Sequence, residues 1–360
     1  MDQAEGTQSD VKVLLITGAG ASAKLGQDED LPMMPGLSRA LYQALNAEQA
    51  GIASAILLEE EMSGPEFEKA LGLLFRWRDS RSLNSRFSSL GHPTPSGPQI
   101  RSSHQQKQWK FEAQHLESIL RIVDETLLAV FGSDKIDPSK AKAAYGWLFD
   151  QLGGLGKFQL MCATTNYDPS LEMALRMLGA SPDLGFRGEE WETKTLSADK
   201  IEPWVRPALL HLHGAVGWYR EEDGSVVGHP KDRGLNESLG RPAVLYPDPD
   251  KDPAEGATRD LWQVLRGDTV GEATHVLVLG HSLHDPPLLR LIQDANARPG
   301  IRVGVVVRSD RRGRSNQFNV VDTALQRLVE EQLPDATMIR GTFVAPTPMI
   351  AQIDLKTWLG

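Results

Sequence analysis

Runs of consecutive apolar residues, rather than alternating ones, punctuate this chain. Residues 11–17 (VKVLLIT) form such a run and end at Gly18-Ala19-Gly20. Unbroken apolar character over a few residues marks a strand covered on both faces. Similar runs recur at 158–164, 209–212, 275–279 and 301–307, with a last one at 337–344. Buried strands separated by helical stretches predict an α/β fold with a mainly parallel sheet and helices on both faces.

The spacing of these runs is uneven. About 140 residues separate the first two, far more than one crossover helix needs. Apolar positions at helical spacing predict helices within 37–58 and 111–131. Residues 80–108 are instead rich in Ser, Pro, Gly, Gln and Arg, with Pro93, Pro95, Gly97 and Pro98 close together, which reads as a long loop. The expected organisation is therefore one α/β domain, 1–44 with 148–360, carrying a large helical insertion after its first strand, 45–147, loop-rich around 80–108.

Composition narrows the function classes. The chain has 360 residues, is 40% hydrophobic and 24% charged, and carries a net charge of −10. That acidity opposes phosphate contact, so direct nucleic-acid binding is not expected, even though Arg76, Arg78, Arg81, Arg86 and Arg101 lie in the insertion. Cys162 is the one cysteine, so neither an internal disulfide nor a four-cysteine zinc site can form. The first ten residues lack a basic start followed by an apolar stretch, and no apolar run approaches the ~20 residues of a membrane span. No signal peptide or membrane segment is expected, and the expected location is cytoplasmic.

Four segments at strand ends carry candidate chemistry. Thr17-Gly18-Ala19-Gly20-Ala21-Ser22 follows the first strand; glycines there let backbone approach a phosphate, and a helix start offers N–H groups. The same residues also read as a plain strand-to-helix turn. Ala163-Thr164-Thr165-Asn166-Tyr167-Asp168 ends the second run, where α/β proteins bind ligands. Asn166 and Asp168, two apart in extended chain, can face one crevice, while Asp168 before Pro169 also fits a helix cap. His211-Leu212-His213-Gly214 ends a third strand, with a side chain suited to proton transfer near neutral pH. Two histidines at this spacing are not read as a metal site, because no third ligand clusters with them. Leu279-Gly280-His281-Ser282-Leu283-His284-Asp285 follows a fourth strand, and Asp285 before Pro286 reads as another helix cap. Arg308, at the end of the next strand and ahead of Arg311, Arg312 and Arg314, could meet an anion.

In this order, strand–GAGAS, ATTNYD, HLHG and LGHSLHD, the series resembles the sirtuin-like (silent information regulator) family. Val244-Leu245-Tyr246-Pro247 and Asp260-Leu261-Trp262 are similar to its prokaryotic branch, while 45–147 carries no recognised motif. The resemblance implies a Rossmann-type NAD-binding domain. Gly18, Ala19, Gly20 and Ser22 would hold the NAD pyrophosphate. Asn166 and Asp168 would contact the nicotinamide ribose and order a water, and His213 would be the catalytic base there. Gly280 and Ser282 would line the adenosine side, and Asp285, Pro32, Thr165 and Arg308 complete the residues assigned to the nucleotide.

The departures bear on activity. Deacylating sirtuins carry a zinc ribbon of two Cys pairs, which one cysteine cannot build, so no zinc is expected. Their Gly-Ile-Pro-Asp-Phe-Arg is replaced here by Gly26, an inserted Gln27-Asp28-Glu29-Asp30, and Leu31-Pro32-Met33-Met34. Thr165 stands where a Gln is usual. The resemblance is thus to the zinc-ribbon-less NADase branch associated with antiphage defence. It implies hydrolysis of NAD to nicotinamide and ADP-ribose, a homo-oligomer, and a sensor or ATPase-type protein partner of an immune system. A deacylase or ADP-ribosyltransferase, or a non-catalytic NAD or ADP-ribose sensor, would use the same site.

Overall fold

The computed structural model describes residues 10–48, 121–187, 194–220, 225–228, 241–243, 258–311, 318–320, 322–343, 349–350, 355 and 358–359. The Ser80–Gln108 loop, the five arginines around it, Val244–Pro247, Arg312 and Arg314 lie outside these residues. The chain divides into two compact units. One comprises Met1–Leu31, Phe131–Leu245 and Asp252–Gly360; the other comprises Pro32–Val130 and Tyr246–Lys251.

The first unit holds the strands. In chain order they are β1 (Lys12–Thr17), β2 (Gln159–Thr164), β3 (Phe186–Arg187), β4 (Lys194–Leu196), β5 (Ala208–His211) and β6 (Trp218–Arg220). Then come β7 (Val226–Gly228), β8 (Arg241–Pro242), β9 (His275–Leu279), β10 (Arg302–Arg311), β11 (Phe318–Val320), β12 (Thr337–Thr342) and β13 (Met349–Ile350).

Six strands pair in parallel in the order β12-β10-β9-β1-β2-β5. Strand β13 adds antiparallel to β12, and β11 pairs antiparallel with β10. The chain first builds outward from β1 through β2 to β5, then crosses to β9 on the other side of β1 and builds outward again. This is the Rossmann order, and its reversal at β1 opens a crevice at the carboxyl ends of the strands.

The consecutive apolar positions have the consequence read from the sequence. In β1, Leu14 and Ile16 face one core cluster with Trp262, Leu288 and Ile292. Val13 and Leu15 face the other, with Tyr145, Leu148, Phe149, Leu171 and Leu175. Each such aliphatic side chain contributes about 1.5–3 kcal/mol by leaving water, so both faces of β1 anchor the sheet. Helix Pro138–Gln151 supplies the second cluster with Ala141, Ala144, Tyr145, Leu148 and Phe149, and it is capped by Asp137, whose Oδ1 accepts from Ser139 N at 2.8 Å.

Between β2 and β9 the chain forms a separate antiparallel sheet, β3-β4-β7-β6-β8. Beside it, buried Asp183 accepts hydrogen bonds from Arg187, Arg206 and the Gly185 N–H. Burial pushes its carboxyl up, but the Arg187 and Gly185 hydrogen bonds and the two arginine charges outweigh that and hold it below the usual carboxylate range.

In the second unit, helix Met34–Glu48 buries Leu37, Leu41 and Leu45, one face at four-residue spacing. Residues 121–130 of the same unit are helical and bury Ile122, Val123 and Leu127. No described helix is long and apolar enough to cross a membrane.

Candidate functional site

The four motif segments leave the carboxyl ends of β1, β2, β5 and β9, which the sheet order makes neighbours. After β1, Gly18 N donates to Leu279 O at 3.0 Å and Gly20 N donates to Gly280 O at 2.9 Å. A Cβ on Gly18 would lie 2.8 Å from Gly280 O, and one on Gly280 would lie 2.2 Å from Ala21 N. Gly280 also has a φ of +64°, in the left-handed region. The three glycines therefore let two loops touch backbone to backbone. This changes the expectation for the turn: the Gly18 and Gly20 amides are committed to the β9 loop, and helix Ala19–Ser22 is a single turn, too short to bring a substantial dipole.

Ser22 is buried and turns toward the end of β2. Its Oγ donates to Asp168 Oδ2 at 2.7 Å and accepts from Asn166 Nδ2 at 3.1 Å. The directions follow from chemistry: an ionised carboxylate only accepts, so the serine proton goes to Asp168 and a serine lone pair takes the amide N–H. The amide orientation is thereby fixed, and among the described residues Asn166 Oδ1 has no hydrogen-bond partner and is buried. Asn166 N donates to Thr164 Oγ1 at 3.1 Å, which holds the backbone of this turn. Asp168 Oδ1 accepts from Ser170 N at 3.0 Å. Pro169, not Asp168, is the N-cap of helix Ser170–Met177; one Asp168 oxygen bonds the N–H of the helix's first residue and the other orders Ser22.

His213 lies just beyond β5, and its Nε2 is 2.8 Å from Asp285 Oδ2, both side chains being more than nine-tenths buried. Gly214, with a φ of +74°, turns the chain immediately after it. The preceding Leu212 carbonyl accepts from Thr258 Oγ1 at 2.6 Å and from Trp262 Nε1 at 3.0 Å, which clamps the backbone that carries the histidine. The Tyr167 ring, from the β2 turn, lies 6.4 Å from the imidazole. Thr258, Trp262 and Tyr167 were not singled out as site residues. Tyr167 and Trp262 lie in segments that carry the family resemblance, and a buried tryptophan N–H must find an acceptor.

The loop after β9 delivers Asp285 under constraint. Leu283 sits at a φ of +59°, which a bulky side chain rarely adopts, and its side chain is anchored in the core. His281 Nδ1 accepts from Leu283 N at 2.8 Å, and this fixes the turn. Asp285 Oδ1 accepts from Leu288 N at 3.3 Å as the cap of helix Pro286–Asn296.

The remaining candidates are placed differently. Thr165 is half-buried, and its N–H donates to Thr17 O at 3.1 Å. Ser282 and Arg308 are exposed. Pro32 belongs to the second unit. His211 is fully buried against Trp218, with ring centroids 5.3 Å apart. Burial lowers its pKa, against the pull of the Glu172 charge. The described residues contain no group of three His, Cys, Asp or Glu side chains able to hold a metal ion.

The fold and site together define an α/β protein with Rossmann strand order whose switch-point crevice gathers Ser22, Asn166, Asp168 and a His213–Asp285 pair. Residues 161–320 match the family model of the SIR2-like domain, which supports the sirtuin-like resemblance. The matched stretch takes in three of the four motifs; the glycine turn precedes it. No curated protein matches the chain.

Proposed function

We propose that the protein is an NAD glycohydrolase that cleaves NAD to nicotinamide and ADP-ribose. The observation that carries this reading is the convergence, at one crevice, of an immobilised amide whose Oδ1 is a buried acceptor with no partner and an imidazole held by a carboxylate. A buried acceptor without a partner costs about 1–3 kcal/mol, which a ligand hydroxyl or water would recover.

Nicotinamide leaves as a neutral molecule when the ribose C–N bond breaks and its electron pair passes to the ring nitrogen. Positive charge develops on the ribose, water attacks C1′, and one proton is released. Asn166 holds the water or the ribose hydroxyl, so that much of the acceleration comes from placement. His213 removes a proton at the ribose, and Asp168 keeps Asn166 in place through Ser22. The adjoining loops after β1 and β9 take the rest of the nucleotide.

The same reading extends to the cell. The protein acts as an antiphage effector in the cytoplasm that depletes NAD on activation, as a homo-oligomer with a sensor or ATPase-type partner of an immune system. The similarity to the SIR2-like domain supports NAD-related chemistry, and the single cysteine, which leaves no zinc ribbon for an acyl-lysine groove, favours hydrolysis over deacylation.

The test is product analysis of the purified chain with NAD, with and without an acyl-lysine peptide. Nicotinamide and free ADP-ribose in equal amounts without peptide are expected. Acyl-ADP-ribose formed only with peptide would make the protein a deacylase. Bound NAD that stays intact, alone or with the immune partner, would make it a sensor.

A further inference from the structure

The pairing of His213 with Asp285 raises a question of proton placement that none of the four motifs answers. An ionised carboxylate offers only acceptors, so the 2.8 Å contact between Nε2 and Oδ2 requires the proton on Nε2 whether the ring is neutral or charged. A neutral ring so held carries its lone pair on Nδ1. The second oxygen of Asp285 is engaged elsewhere: it accepts from Leu288 N at the start of helix Pro286–Asn296, where the helix dipole favours the ionised form. Rotation of the carboxylate is thus restrained from both sides, and the loop that delivers it is pinned by left-handed Leu283 and by the Leu283-to-His281 hydrogen bond.

We propose that Asp285 is the positioning residue of His213: the carboxylate fixes the Nε2–H tautomer and the ring orientation, and supports the charged ring when His213 takes up a proton, while the same side chain caps the following helix. The catalytic part of this inference rests on the NAD-cleaving reading; the tautomer part does not.

Asp285→Asn separates the two duties. Asn caps helices about as well as Asp. It has one acceptor oxygen for the two donors, however. With that oxygen on Leu288 N, its NH2 faces the ring and makes Nε2 an acceptor, so the neutral ring moves its proton to Nδ1. A residue that only caps the helix would tolerate the change; a positioning residue would not.

The experiment uses the full chain labelled with ¹⁵N-histidine. His213 is assigned among the nine histidines as the signal lost in His213→Ala. The wild type should show the Nε2–H form at His213, and Asp285→Asn should convert it to the Nδ1–H form while keeping a melting temperature near the wild type. If Asp285→Asn does not fold, Asp285→Ser, which also caps, is read by the loss of the carboxylate alone: the Nε2–H form should cease to be the single form at His213. In turnover, Asp285→Asn should lower kcat about 10²-fold with little change in KM. It should add nothing in the His213→Ala background, because residues that act as a unit are not additive. An unchanged His213 tautomer in Asp285→Asn would overturn the proposal, and so would an equal loss of turnover with and without His213. A tautomer change with no NAD cleavage in any protein, the wild type included, would leave the pair standing and remove the glycohydrolase reading.

Discussion

The two halves of the site are built on different principles. At the ends of β1 and β2, Ser22, Asn166 and Asp168 form a short network with one carboxylate charge, on strand ends, in which all three have assigned duties and one oxygen, Asn166 Oδ1, has no partner. At the ends of β5 and β9, the site is a titratable ring against a carboxylate, delivered by backbone that is left-handed at Gly214, Gly280 and Leu283. The first half fixes a direction for a hydrogen bond. In the proposed mechanism the second half moves a proton. An acceptor is held in place by satisfying everything around it, whereas a base needs one neighbour of opposite charge and a defined ring orientation.

Substitutions break this comparison in a predicted order. His213→Ala removes the base and should lower nicotinamide release by about 10²–10⁴-fold, with the circular dichroism spectrum unchanged. Asn166→Ala should reduce kcat by about 10²–10³-fold while NAD still binds, as titration calorimetry would register. Comparable turnover by either variant would remove that residue from the mechanism. Ser22→Ala touches neither substrate nor base in this scheme. It strips Asp168 Oδ2 and Asn166 Nδ2 of their shared partner, so it should cost about 1–3 kcal/mol of stability, read from denaturant melts, with a smaller loss of rate than Asn166→Ala.

The smallest expected effect sharpens the contrast between His211 and His213. Burial lowers the pKa of His211, so the unfolded chain takes up its proton near the ordinary value of about 6.5 and the folded chain only at lower pH. Between those points the unfolded state binds more protons. Stability from this residue is therefore full above about pH 6.5 and falls as the pH drops below it. Melting temperatures between pH 8 and 5 should decline on the acid side, and His211→Leu should flatten that slope. An unchanged slope in the variant would assign the decline to other groups, such as His275, whose pKa burial also lowers.

The sheet was legible because its strands are covered on both sides. The run at 275–279 matches β9 residue for residue, and the other five runs locate β1, β2, β5, β10 and β12 within a few residues. The second sheet was not legible, because strands of two or three residues such as β3 and β8 leave no periodic signal. In the site, Asn166, Asp168 and His213 stand out through their position after buried runs. The resemblance assigns Ser22 to the pyrophosphate, whereas in the structure its hydroxyl bonds Asp168 and Asn166. The glycines at 18 and 20 carry the same lesson: their neighbour is Gly280, some 260 residues on, and no local pattern reports contact at that separation. Asp285 was legible as a cap and not as the partner of His213, since one carboxylate can do both only in three dimensions.

The reversal of strand order at β1 also governs when the site can exist. Strand β1 is made first, yet one of its neighbours is β9, and Lys12 N bonds Thr274 Oγ1 across a sequence separation of 262 residues. Pairing over such distances is slow, because the ends of a long loop must be brought together before any contact rewards it. During synthesis a ribosome therefore carries a chain with Ser22 and Asn166 already made, but without the strand that closes the β1 loop or the carboxylate that orients His213. Maturation of the crevice waits until β9 and the loop after it have left the ribosome, and a product ending before β9 lacks both the strand that closes the β1 loop and the carboxylate that faces His213.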